Sequence, residues 1–312
     1  MERRAQLWLI IAIVVAAAIS TAAQPLRLNS YYLGVLIDVG INLVLAVSLN
    51  LINGHTGQFS LGHAGFMAVG AYTGASLTLG LAARFSGPIA TPSVFALALF
   101  GGGLASALAG LAVGVPSLRL KGDYLAIVTL GFGEIIRVVL QNTEAVGGAS
   151  GLKGIPKETT FFWAWALAAI TVYVVACLVN STYGRGFIAV HDDEVAARAM
   201  GINTTRYKVT AFVIGAFFAG LAGGLYAHHK QFLSPAGFDF NKSIELVVMV
   251  ILGGMGRTAG VIAATILLTL LPEFLRPVAE YRMILYALLI IGLMLARPQG
   301  LFSLSRPRSP AV

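Results

Sequence analysis

The residues of this chain that could do chemistry fall in a few places. His191, Asp192, Asp193 and Glu194 are consecutive in HDDE, a string whose side chains suit a metal ion. The spacing argues against one, because three consecutive carboxylates on a helix point in different directions and do not converge. No metal site is assigned. His228 and His229 diverge for the same reason, and an interfacial position at an outer membrane edge suits them. The run NGHTGQFSLGHAGFMAVGAYTGA, Asn53 to Ala75, sets Gln58, Ser60 and His63 among Gly57, Gly62, Gly65, Gly70 and Gly74. Glycine-interrupted apolar segments mark unwound helices that line a pathway. Tight packing explains the glycines equally well, and a hydrogen bond to a neighbouring helix would explain Ser60 and His63. Asp38 and Asn42 share one helix face, and Glu134 precedes its natural partner Arg137 by three residues. Ionisable groups at membrane depth default to function; the plainer alternatives are an interfacial Asp38 and a Glu134–Arg137 pair that only lowers the cost of burial. The chain carries no GxxxxGK[ST], GxSxG or HExxH motif, so nucleotide binding and hydrolysis have no support in it.

The elements that position these residues are apolar. Of the 312 residues, 57% are hydrophobic and 11% charged, less than half the ~25% charge of a soluble domain. Such a chain belongs in lipid, where backbone groups must bond within helices. The fold class expected is an all-α polytopic membrane protein of about ten transmembrane or broken helices, forming one membrane domain over residues 1–312. The apolar segments are 7–23, 31–52, 59–83, 94–115, 124–140, 161–180, 209–228, 243–256, 259–275 and 278–296. The segment 243–256 is short of the ~20 residues a span needs and reads as broken or re-entrant. The N-terminal segment reads as a retained first span, with a cleaved signal peptide as the alternative. Lys and Arg are more numerous on the side that holds both termini and the 191–208 loop, which places these in the cytoplasm. The net charge of +8 therefore sets topology. It does not mark nucleic-acid binding, because the basic residues are scattered without aromatic interleaving.

HDDEVAARAMGINTTRYK, 191–208, is polar between two apolar runs. Asp192, Asp193 and Glu194 suit the positive end of a helix dipole, Asp192 as its cap, and Gly201 suits the residue just past the end. Val195, Ala199 and Ile202 make a small apolar face. A helix this short is marginal in water, so that face needs a surface, either the protein's own helix ends or a cytoplasmic partner.

Several of these stretches resemble one family. GQFSLGHAGFMAVGAYTGA at 57–75 is similar to the signature of permeases of branched-chain amino-acid ABC importers. LKGDYLAIVTLGFGEIIRVVLQNTEAVGGASGLKGIP at 120–156 is similar to the LivM-type subunit rather than its LivH-type partner. The 191–227 stretch resembles the cytoplasmic coupling segment and the helix after it, although His191 stands where that segment commonly has Arg. SIELVVMVILGGMGRTAG at 243–260 and RPQGLF at 297–302 extend the resemblance over most of residues 34–302.

The resemblance implies a permease of the bacterial inner membrane that imports Leu, Ile, Val or related small amino acids and amides. It implies a second, LivH-type permease, two P-loop ATPase subunits and a periplasmic substrate-binding protein as partners. No cofactor is expected in this chain, with ATP and Mg on the ATPases. Coupling would fall to Asp192, Asp193, Glu194, Val195, Ala196, Ala199, Met200 and Gly201. The translocation path would draw on Gln58, Ser60, Gly62, His63, Gly65, Asp38, Asn42 and Glu134. The alternative is an ion-coupled secondary transporter using Asp38, Glu134 or Glu245.

Overall fold

A computed structural model describes residues 30–82, 90–117, 120, 122–276 and 281–296. The expected 7–23 span, RPQGLF and both termini lie outside the described residues. Each of the other nine apolar segments is a helix. They are α1 (Ser30–Asn50), α2 (His63–Ala82), α3 (Ala90–Ser117), α4 (Asp123–Asn142), α5 (Phe161–Asn180), α8 (Thr204–Lys230), α9 (Phe240–Gly253), α10 (Thr258–Phe274) and α11 (Arg282–Ala296). Two short helices, α6 (Thr182–Asp192) and α7 (Glu194–Ala199), lie between α5 and α8. The only β pairing among the described residues is an isolated bridge between Leu152 and Leu233.

By length and composition, five described helices could cross a membrane: α1 with its π-helical extension to His55, α2, α3, α5 and α8. The other segments fall short for visible reasons. α4 carries Asp123, Glu134 and Arg137, and α9, α10 and α11 have only 14, 17 and 15 residues. At 1.5 Å per residue, α9 reaches about 21 Å of a hydrocarbon core of roughly 30 Å. It turns at Gly254–Arg257 and α10 runs back alongside it, so 243–256 is half of a hairpin.

The described core is built around α1, α2 and α8. Gly215 and Gly223 of α8 face α1 and α2. A Cβ on Gly215 would lie 2.5 Å from Ile52, and one on Gly223 would lie 2.0 Å from the Met67 carbonyl. A second small-residue stripe, Gly220 and Gly224, meets Ser106 and Leu99 of α3. Two glycine stripes thus serve three partner helices, as close helix seams in lipid require.

The helix ends sort into two faces. Residues 51–60, 120, 122–125, 190–208 and 254–257 gather on one, where Gln58 Nε2 donates to the Lys208 carbonyl at 3.3 Å and Gly256 N–H to Asn50 Oδ1 at 2.9 Å. On the other, Leu152 and Leu233 exchange backbone hydrogen bonds at 2.8 and 3.0 Å, and Lys230 meets Asp38.

The interfacial expectation for His228 is corrected. Because α8 continues to Lys230, His228 is fully buried, its ring bonded to Gly224 O at 2.8 Å and Thr78 Oγ1 at 3.0 Å. His229 turns the other way, to 3.6 Å from Asp38.

Candidate functional site

The polar stretch after α5 folds as two helices, not one. His191 and Asp192 finish α6, and the helix start falls one residue later than expected. Asp193, with extended backbone, is the N-cap: its Oδ1 accepts from Val195 N–H at 2.8 Å and Ala196 N–H at 3.0 Å. Asp192 is one residue too early to reach those donors. At the other end Gly201 has φ of +83°, a conformation that costs a side-chain-bearing residue but not glycine. Gly201 N–H bonds Arg198 O and Ile202 N–H bonds Ala197 O, both at 3.0 Å, closing the helix in a Schellman motif.

Glu194 ties α7 to the next helix. Its carboxylate accepts from Lys208 Nζ at 2.8 Å and from Arg198 at 3.0 Å, with Thr204 Oγ1 at 3.4 Å. Glu194 is mostly buried and Lys208 almost wholly so, so removing either partner costs more than it would in a surface ion pair. Ala197 packs inward, whereas Val195, Ala196, Ala199 and Met200 face out, Val195 at 69% and Met200 at 82% exposure. The geometry therefore presents a rigidly held, exposed apolar patch on one face of the bundle. Ile202, expected on that patch, is half-buried.

Lys208 carries no local signal for this role; it reaches Glu194 across 14 positions because the chain reverses between them. A Lys208→Met variant leaves a carboxylate without its main partner and is expected to destabilise this corner by about 1–3 kcal/mol. Limited trypsin digestion at Arg198 measures this, with faster cleavage expected in the variant.

A polar pocket of 200 Å³ lies beside α7, lined by Gln58, His191, Glu194 and Lys208 among others. Gln58 is 2% exposed, and its Nε2 also donates to Thr56 Oγ1 at 2.8 Å. Ser60 exchanges backbone hydrogen bonds with the Asn53 side chain at 3.1 and 3.3 Å. The chain at 56–62 is non-helical, so α1 and α2 are separated by a break that Asn53 holds shut. His63 is buried in α2, with Nε2 2.9 Å from Ser48 Oγ. Gly62 and Gly65 lie against α4, at Thr129 and Gly133. These five residues are brought together, and they are packed.

Glu134 stands apart from them. It accepts from Arg137 Nε at 2.7 Å on the open face of α4, near exposed Ile135 and Val138.

Asp38 and Asn42 sit near the opposite face, in a second pocket of 210 Å³ between α1, α8, α9 and α10. Asp38 pairs with Lys230 at 2.8 Å. Asn42 donates to Thr269 Oγ1 at 3.1 Å and accepts from Lys242 Nζ at 3.4 Å; Lys242 also pairs with Glu245 at 2.9 Å. No spacing in the sequence assigns Lys230, Lys242 or Thr269 to a site, because each joins through space from a different helix. Only the pair Lys242 and Glu245, at i and i+3, carries a local signal.

With this geometry in place, comparison with known proteins is informative. Residues 31–296 match the family model described as branched-chain amino acid transport system / permease component. The chain is 37% identical to the high-affinity branched-chain amino acid transport system permease protein LivM of Escherichia coli, over 95% of this chain and 75% of the relative. It is 36% identical to the protein of the same name in Salmonella typhimurium, with the same coverage of both chains. A more distant similarity, 27% identity over 65% of this chain and 58% of the relative, reaches an autoinducer 2 import system permease protein of Yersinia enterocolitica. No solved structure matches.

Proposed function

The chain belongs to the branched-chain amino acid transport system permease family, and from that premise we propose that it is the LivM-type membrane subunit of an ATP-driven importer of Leu, Ile and Val or related small amino acids and amides. It is a multi-pass permease, and it moves its substrate without transforming it. The observation that carries the ATP-driven reading is the exposed apolar patch of Val195, Ala196, Ala199 and Met200, held in one orientation by the Asp193 cap and the Glu194–Lys208 pair. Isolated apolar side chains on a surface need no explanation, but a capped and ion-paired presentation of four in one turn and a half favours a partner.

That partner is a P-loop ATPase, one of two in the assembly. Its nucleotide cycle moves α7, and α8 carries the movement through its glycine seams to α2 and α3. A second, LivH-type permease completes the path, and a periplasmic binding protein delivers the substrate. ATP and Mg act on the ATPases, and this chain needs no cofactor of its own. The membrane is the bacterial inner membrane, with both termini and α7 in the cytoplasm.

Gentle purification of the chain from native membranes, followed by mass spectrometry, tests the reading. Co-recovery of P-loop ATPases and a second permease is expected, together with binding-protein-dependent uptake of Leu, Ile and Val. A homo-oligomer that transports on an ion gradient without ATP would overturn it.

A further inference from the structure

The pocket between α1, α8, α9 and α10 has a composition unusual for the interior of a membrane protein. Two cations and two carboxylates meet there as Lys230–Asp38 at 2.8 Å and Lys242–Glu245 at 2.9 Å. All four side chains are between 20% and 39% exposed, so they are neither sealed in nor free in solvent. Between the pairs, Asn42 is buried and bridges Lys242 to Thr269. Lys230 ends α8 and Lys242 lies in the first turn of α9, so the ion pairs gather near the mouth of the pocket, while Asn42 lies twelve residues into α1. Ionisable groups that face a cavity between membrane helices mark substrate or ion pathways.

A second cavity of 690 Å³ continues from the first, sharing Lys242, Glu245 and Pro272. Its lining adds Asp239, the N-cap of α9, and Asn241, and its apolar wall is Ile244, Val248 and Ile290. The combined space therefore has a charged end with groups of both signs and an aliphatic wall beside it. With Lys230 and Lys242 set against Asp38, Asp239 and Glu245, the lining does not favour a net anion. It suits a ligand that is neutral overall, carries both charges a few ångströms apart, and has a branched aliphatic tail.

We propose that this joined cavity is a transit site for an aliphatic amino-acid zwitterion. The carboxylate takes Lys242 or Lys230, the ammonium takes Glu245 or Asp38, and the side chain lies along Val248 and Ile290. This rests on the permease reading above and adds the binding site within this chain. Each pair exchanges a protein partner for a ligand partner of the same charge. The exchange leaves every charge compensated, so binding is weak, as a site on a conduction path requires.

The test uses the complete complex, reconstituted in proteoliposomes with its ATPases and loaded binding protein, with uptake expressed per mole of assembled complex. Lys242→Gln and Glu245→Gln are each expected to lower Leu uptake about tenfold or more, in keeping with loss of a hydrogen bond to a charged group. The swap Lys242→Glu with Glu245→Lys keeps the ion pair but exchanges the positions of its charges, and it is expected not to restore uptake. Val248→Phe fills the aliphatic end and is expected to lower Leu uptake at least threefold more than uptake of the smaller Val. Restoration to within twofold of wild type by the swap would make the pair a structural brace and overturn the proposal. So would single variants at wild-type rate, or an unchanged Leu-to-Val ratio in Val248→Phe. A wild-type complex that carries no Leu, Ile or Val in this assay would instead strike the permease reading itself.

Discussion

A Val195→Asp, Met200→Asp double variant is expected to fold its membrane bundle and to lose substrate uptake. Both side chains point away from the protein, at 69% and 82% exposure, so neither contributes much to its own core. The Asp193 cap, the Gly201 closure and the Glu194–Lys208 pair are untouched, so α7 keeps its place. What changes is the surface shown to a partner. Burying one such apolar side chain in an interface contributes about 1.5–3 kcal/mol. Losing two costs at least about 3 kcal/mol, roughly a hundredfold in affinity, before the cost of forcing two carboxylates into a groove is added. Co-purification of the ATPases and uptake are therefore expected to fall together. Normal ATPase recovery and uptake from the variant would show that α7 docks on nothing through this patch.

A Gly220→Val variant is expected to fail at an earlier stage, in folding. A Cβ on Gly220 would lie 2.4 Å from Ser106 Oγ and 2.8 Å from the Gly102 carbonyl, and one on the facing Gly70 would lie 2.2 Å from the Gly220 Cα. Ser106 cannot step aside freely, because its hydroxyl donates to Phe66 O at 2.8 Å. Three helices cross here with backbone against backbone, so a side chain must push them apart. Overpacking of a core costs about 1–3 kcal/mol. Separating two glycine seams at once belongs at the top of that range or above it, and little folded protein is expected in detergent extracts. Gly80→Ala is the control on α2: its Cβ would meet nothing within 4 Å. A helix gains from that exchange, so Gly80→Ala is expected to match or exceed wild type in fluorescence-detected size-exclusion profiles. Equal profiles for both variants would refute the seam argument.

Much of this was legible in the residues. Apolar runs must become helices in lipid, since no other local structure satisfies the backbone there, and each described run did. The shortness of 243–256 was visible as a length. The 191–208 stretch showed itself as a polar interruption with an N-cap signal and a terminal glycine. The cap's register was off by one, because Asp192 and Asp193 are equally good acceptors and only the chain direction at the end of α6 decides between them.

The apolar helices, the presence of an exposed short helix and the family were thus properties of the sequence alone, because hydropathy, capping and motif are local. Tertiary structure alone decided what the polar residues do. Gln58, Ser60 and His63 look alike in the sequence as candidates for a path, yet Thr56 and Ser48 bond one side-chain nitrogen each of Gln58 and His63 and Asn53 bonds the Ser60 backbone within the packed break between α1 and α2, while Gln58 Oε1 and His63 Nδ1 stay buried without a partner. Asp38 and Asn42 are set apart by partners up to 227 positions away. No spacing rule reports such a meeting, because it depends on which helix ends the fold brings to the same depth.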